Sequence, residues 1–370
     1  MRFISPLLKR VGYPLLSRTG YLRRVARNGQ LCIVTYHGVR PAEYVSSDAT
    51  LDGGLVTAAA LRRQLHLLKS RYSVISPGQL LDWLQSGRVL PERAVLLTCD
   101  DGLRNTLTDM LPILQEEKVP CLFFVTGFSL GKAPVMLWYE QLYLLLRKAP
   151  PGPIESLDQE LCRGTEKLGN RRALWWTLVK RLSGRDHDGR MQFIRETRER
   201  LNLREDWIEE YTQQTEQARR FLLLTSSELD QVASQGMTIG AHTLTHPFLA
   251  ESTAECAHRE ITDCRTALEG FLGRNVWALA YPFGGPGSLG EREIECTKTA
   301  GYAAGFVNVG GGFGADLPPY ALPRVHVTAD MTLPEFDAHV SGFYRRMRNP
   351  EAPFGAASDA SQNSEQTPCV

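Results

Sequence analysis

The stretch Ala94-Val95-Leu96-Leu97-Thr98-Cys99-Asp100-Asp101-Gly102 decides the fold. Its first six residues carry no charge and show no polar alternation, the habit of a strand buried on both faces of a parallel sheet. A similar run, Leu31-Cys32-Ile33-Val34-Thr35-Tyr36-His37, lies upstream, and Cys121 to Phe128 forms another downstream. Between the first two, Thr57 to Lys69 sets Leu61, Leu65 and Leu68 on one helical face. Pro77 to Gly87 reads as a second helix, with Ser76 as N-cap and Gly87 as its stop. Thr106 to Lys118 reads as a helix despite Pro112. Strand, helix and strand at this spacing call for parallel pairing and an α/β fold.

Farther along, residues 135–220 are rich in Leu, Trp, Arg and Glu with helical periodicity and no strand pattern, so they read as a helical insertion between barrel strands. The α/β rhythm then resumes. A helix ends at Gly236, Met237–His242 is a strand, Ala254–Leu272 a helix and Val276–Gly284 a strand. Glu291–Ala300 is a helix, Tyr302–Asn308 and Ala321–Val327 are strands, and Leu333–Arg348 is a closing helix. The expected division is a basic arm over 1–30, barrel over 31–134 and 221–348, the insertion between them, and a disordered tail over 349–370. The glycine run Gly310–Gly314 precedes Pro318-Pro319 with no helix after it, and reads as a loop.

Composition narrows the function classes. The 370 residues carry 42 Lys+Arg against 41 Asp+Glu, a net charge of +1, which excludes a dedicated nucleic-acid binder. With 43% hydrophobic residues the chain can bury a large core. No apolar run reaches the roughly 20 residues of a membrane span. Eight scattered cysteines without a C-x-x-C pair point to a reducing, cytoplasmic compartment and to no thiolate zinc site. The arm holds Arg2, Lys9, Arg10, Arg18, Arg23, Arg24 and Arg27 and no acid, with Lys9 and Arg10 interrupting any signal-peptide core. It reads as a basic amphipathic segment on an anionic membrane, at its inner face, as an arm packed on the domain, or, third, as an organelle transit peptide.

In a parallel α/β barrel, reactive groups collect where the strands end. Here the strand ends supply Asp100-Asp101-Gly102, His242-Thr243-Leu244-Thr245-His246, His37 and Pro282-Phe283-Gly284. Adjacent carboxylates raise each other's pKa unless a cation lies near, although Asp-Asp-Gly alone is also good turn chemistry. His-x-x-x-His places two imidazoles on one side of a helical turn, as a divalent metal requires. Two imidazoles and one carboxylate make an open three-ligand site, and the second carboxylate is left free as a base. Trp138, Tyr139, Trp175 and Trp176 could line a sugar groove or form helix-packing core.

These motifs resemble the NodB-like polysaccharide deacetylases, carbohydrate esterase family 4. Thr98-Cys99-Asp100-Asp101-Gly102 matches T-F-D-D-G with Cys for Phe, and His242 to His246 matches H-[ST]-x-x-[HD] in full. Ala280-Tyr281-Pro282-Phe283-Gly284 matches R-x-P-[FY]-G without its Arg. The resemblance implies a distorted (β/α)7 barrel carrying a helical insertion. It also implies one divalent ion on Asp101, His242 and His246, with zinc in first place and iron, cobalt or nickel as alternatives. Asp100 would be the base, and the backbone N–H of Phe283 the oxyanion donor. The family's catalytic His lies near the C-terminus, whereas permuted exopolysaccharide-type members carry it at the front. His37 is therefore the candidate acid, with His326 its rival, and Arg324 stands in for the missing Arg beside Asp100. The implied substrate is an N-acetylated glycan, polymeric or lipid-linked. The competing expectation is a non-catalytic glycan-binding or assembly subunit that retains the barrel.

Overall fold

The computed structural model describes residues 4–26, 31–46, 48–150, 171–310 and 317–348. The proposed tail, part of the insertion and most of the glycine run lie outside the described residues. Among the described residues there are nine strands: β1 Leu31–Tyr36, β2 Ser73–Val74, β3 Ala94–Cys99, β4 Leu122–Val125, β5 Thr238–Ala241, β6 Ala278–Ala280, β7 Ala304–Val307, β8 Leu322–Pro323 and β9 Val325–His326. All strand pairs are parallel, in the order β8-β7-β6-β5-β4-β3-β1-β9, with β2 beside the start of β3. β1 and β3 are buried at every position, because helices cover one face and the barrel interior the other.

The stretch Ala321–Val327, read above as one strand, is two. Leu322 and Pro323 pair with β7, whereas Val325 and His326 pair with β1. Pro323 has no N–H to give a ladder, and the chain changes neighbour at Arg324. One short segment thus bridges the two edges of the sheet and nearly closes a seven-staved barrel.

The helices follow their sequence signals. Ala58–Arg71 starts at a Thr57 cap, and Pro77–Ser86 carries a Ser76–Gln79 capping box and stops at Gly87 in the left-handed region. Thr106–Met110 is a π turn that leads into Leu111–Glu116, which places Pro112 in the first turn of a new helix, where its missing N–H costs nothing. The closing helix also differs from expectation. It breaks into Leu333–Val340 and Phe343–Arg348 at Gly342, whose φ of 77° no helix interior accepts.

Between β4 and β5 the described chain is helical, with Trp138–Lys148, Arg171–Ser183 and His187–Arg200 as its main helices. Their apolar faces form a core of their own around Leu142, Leu145, Trp175, Leu178 and Ile194. Two single antiparallel bridges, Met136 to Leu222 and Leu103 to Leu223, tie the ends of this body to the barrel. A buried Arg220 joins them further: its Nε donates to Asp52 at 2.5 Å and its Nη2 to Glu140 at 2.9 Å. Residues 4–26 pack on the outside of the barrel against the Leu333–Val340 helix.

Candidate active site

The two adjacent carboxylates after β3 take different partners. Asp101 adopts a φ of 73°, which turns its side chain away from that of Asp100 and gives each acid different partners. Asp100 receives a buried two-pronged contact from Arg324, at 2.7 Å from Nη1 and 2.6 Å from Nη2, and Arg324 Nη1 also reaches Thr98 Oγ1 at 3.3 Å. Burial pushes the Asp100 carboxyl upward, but Arg324, with His242 and His37 nearby, together outweighs it and holds the group below its ordinary value. No arginine stands at Ala280, and the guanidinium on Asp100 comes instead from Arg324, on another stave.

Asp101 Oδ1 lies 3.4 Å from both His242 Nε2 and His246 Nε2. One ligand atom from each of the three buried residues lies within 4.8 Å of the other two, a grouping suited to one metal ion. His242 Nδ1 donates to the Ala280 carbonyl at 2.7 Å, which holds the ring with its Nε2 toward Asp101. Burial raises the Asp101 carboxyl, yet the two imidazoles hold it well below its usual range. The chemistry of this donor set, two nitrogens and one carboxylate oxygen, fits a divalent transition metal.

The two histidines are not brought together by a helical turn, contrary to the spacing argument. Residues 242–246 form an irregular loop in which Thr243 and His246 have φ of 63° and 55°. That geometry is sparsely populated for non-glycine residues, and it persists because the loop is tied down on every side. Thr243 Oγ1 accepts from His246 N–H at 3.1 Å, and Glu260 Oε2 accepts from Thr245 N–H at 2.8 Å. Phe283 is also left-handed, at φ 62°, and its N–H has no backbone acceptor among the described residues. Four of the seven non-glycine residues with positive φ among the described residues therefore stand at this one site.

His37, at the end of β1, meets His326, at the end of β9, edge to face with ring centres 4.8 Å apart. A Cβ on Gly54 would lie 3.3 Å from His37 Cβ and Cγ, close enough that the His37 side chain would have to give by a few tenths of an ångström. Both His326 nitrogens are shielded and without a partner, whereas for His37 only Nδ1 is so placed. Burial, followed by the charge of His37, pushes His326 down to about 3.

A family model described as polysaccharide deacetylase matches residues 87–156 and 202–305, a span that takes in Asp100, Asp101, His242, His246 and Phe283. The chain carries a polysaccharide deacetylase domain. Among curated proteins it is 37% identical over 73 residues to the poly-beta-1,6-N-acetyl-D-glucosamine N-deacetylase of Escherichia coli K12, and 26% identical over 117 residues to YxkH of Bacillus subtilis. Those alignments cover 20% and 32% of this chain but only 11% and 41% of the relatives, so the chain spans less than half the length of either. Among solved structures, the Streptococcus pyogenes deacetylase PplD in complex with acetate superposes with a TM-score of 0.52 at 17% identity, covering 83% of this chain and 96% of that one. IcaB from Ammonifex degensii gives 0.51 at 18%, covering 85% and 98%. At these identities the likeness is one of fold.

His37, Arg324 and His326 lie outside the matched segments of the deacetylase domain, so their place at the site rests on geometry. Other contacts escaped the sequence reading. Trp138 Nε1 donates to the His246 carbonyl at 3.0 Å, and Trp175 Nε1 to that of Tyr139 at 2.8 Å. These two tryptophans are fully buried and belong to the core, which removes them from a sugar groove. Tyr139 and Phe283 pack on the His246 ring at 5.0 and 4.9 Å, and half-buried Trp176 lies against Phe283 at 5.4 Å. Arg190, fully buried, donates from Nη2 to Thr245 Oγ1 at 2.6 Å, and Thr245 Oγ1 in turn donates to Glu260. Within His187–Arg200 nothing distinguishes Arg190 from its charged neighbours; only its burial does.

Proposed function

We propose that this protein is a metal-dependent hydrolase that removes N-acetyl groups from amino-sugar residues of a polysaccharide or lipid-linked glycan. The observation that carries this reading is the pairing of a three-ligand cluster with a neighbouring buried carboxylate that Arg324 clamps in a two-pronged contact. Asp101, His242 and His246 would hold the cation, zinc in first place with iron, cobalt or nickel also suited to the donors. When bound, such an ion supplies Lewis acidity toward the acetyl carbonyl and acidifies water.

The protein's own groups account for the rest. Asp100, kept anionic by Arg324, takes a proton from the attacking water as general base. The N–H of Phe283 stabilises the developing oxyanion, a task that requires no particular side chain and explains why a strained backbone is tolerated there. His37 protonates the departing amine. His326 is the weaker candidate, because both its nitrogens are shielded and its low pKa leaves it no proton to give near neutrality. Free amine and acetate are the products.

The competing reading, a glycan-binding or assembly subunit without turnover, drew on the absent motif arginine. Arg324 beside Asp100 takes that motive away. The name of the Escherichia coli relative supports β-1,6-linked N-acetylglucosamine as the first substrate to try. The test is acetate release from N-acetylated β-1,6-glucosamine oligomers with added zinc and with a chelator. Metal-dependent release supports the hydrolase. Binding of the oligomers without any release, across the four candidate metals, would favour the binding subunit.

A further inference from the structure

The deacetylase reading gives residues 4–26 no task. Ile4–Leu7, Leu8–Gly12 and Tyr13–Arg18 run as one helical rod with a π turn at its middle, and Gly20, at φ 70°, turns the chain into the Tyr21–Val25 helix. One face of the rod is docked on the barrel. Tyr13 and Leu22 are buried in a cluster with Ala338, Ser17 donates to Asp337 at 2.7 Å, and Lys9 pairs with Glu335 at 3.1 Å. The other face presents Leu7, Val11 and Leu15, spaced by four and 67%, 55% and 60% exposed, with Tyr21 beyond them at 47%. Single exposed leucines need no explanation, but an aligned apolar row on a rod already anchored by its opposite face does.

Charge identifies what covers it. Arg10 and Arg18 on the rod, and Arg23 and Arg24 on the next helix, are exposed and in no ion pair among the described residues. No Asp or Glu precedes Glu43 in the sequence, although the whole chain is balanced at +1. A protein partner would be met by charges of both signs that set a register, whereas a row of leucines flanked only by arginines matches a uniformly negative, apolar-cored surface. No described helix is long and apolar enough to cross a membrane, so the contact is interfacial. Lys9 also approaches Asp330 at 3.6 Å, four residues past His326, which sets the start of the rod at the catalytic end of the barrel.

We propose that this face docks on an anionic lipid bilayer, with Leu7, Val11 and Leu15 entering the headgroup–acyl boundary and Arg10, Arg18, Arg23 and Arg24 meeting lipid phosphates. The proposal does not rest on the deacetylase reading. The full chain should pellet with phosphatidylglycerol–phosphatidylcholine vesicles and not with pure phosphatidylcholine, and high salt should weaken the binding. Arg10→Gln with Arg18→Gln should lower affinity roughly thirtyfold, at about 1 kcal/mol per basic residue. Leu7→Ser with Val11→Ser and Leu15→Ser should lower it at least as much, and both variants should keep the wild-type melting temperature. Absence of binding to either vesicle, equal binding by wild type and both variants, or a dimer in light scattering that the triple variant dissolves would each overturn the proposal.

Discussion

The barrel rim and the helical body of residues 135–220 meet at the same loop but bring different things to it. The rim supplies the ionisable side chains, each from the end of a parallel strand: Asp100 and Asp101 after β3, His242 and His246 after β5, His37 after β1, and Arg324 between β8 and β9. The inserted body contributes no candidate ligand or base among its described residues. It supplies Trp138 to the His246 carbonyl, the Tyr139 ring against the His246 imidazole, and Arg190 to the Thr245 hydroxyl. Chemistry is thus concentrated where the strands end, and the strained loop that holds two of the three candidate ligands is braced from outside. Damage to the rim should remove turnover outright, and damage to the brace should loosen the metal first.

The largest effect is expected from Asp101→Ala, which removes one of three ligands; the purified variant should contain no bound divalent metal by elemental analysis and release acetate at the background rate. Asp100→Asn should retain the metal and lose about 10²–10⁴-fold in kcat. A metal-free Asp100→Asn protein would place Asp100 in the ligand set and undo its separation from Asp101.

Arg324→Met tests the clamp on the base. Leaving the buried Asp100 carboxylate unpaired should cost about 3–5 kcal/mol in denaturant titration. The direction with pH also follows. Arg324 depresses the folded-state value of Asp100, so the stability it contributes is present above the unfolded carboxyl value and is lost as pH falls through the folded one. Without Arg324, burial raises the carboxyl, so that acid-induced loss should shrink or reverse, and the acidic limb of the kcat/KM profile should move to higher pH.

The brace predicts smaller changes of another kind. Trp138→Phe and Arg190→Met should each weaken metal affinity by about 10–100-fold, with kcat at saturating metal nearly unchanged. Equal losses of kcat with metal affinity intact would show that the inserted body acts on the reacting groups themselves. Smallest of all is His326→Gln. Because His326 is held neutral when folded, the wild type should lose stability as pH falls through the ordinary imidazole value near 6.5, and the variant should lose less over pH 7 to 5, read as melting temperature.

Much of the rim was legible in the sequence because strand ends announce themselves. Uncharged runs stop abruptly at Asp100, His242 and His37, and the candidate metal ligands Asp101, His242 and His246 lie at or just past the first two of those stops. The split at Arg324 was not legible. A proline and an arginine inside an apolar run can mark an edge, and only the pairing of β8 with β7 and of β9 with β1 shows that one segment serves two edges. Nor was the brace. Arg190 lies in His187–Arg200, a helix dense in charge whose exposed and buried arginines look alike in one dimension. The approach of His242 to His246 was read correctly from spacing but for a wrong reason, since left-handed backbone at Thr243 and His246, not a helical turn, turns the rings together.

The proposed chemistry requires one ion on Asp101, His242 and His246 while Asp100 stays on Arg324. A crystal structure of the zinc-loaded protein, with anomalous differences collected at the zinc edge, would locate that ion. A single strong peak is expected about 2.0–2.2 Å from one Asp101 oxygen and from Nε2 of both histidines. Asp100 should remain in its two-pronged contact with Arg324. A peak elsewhere, or an Asp100 oxygen in the coordination sphere, would contradict it.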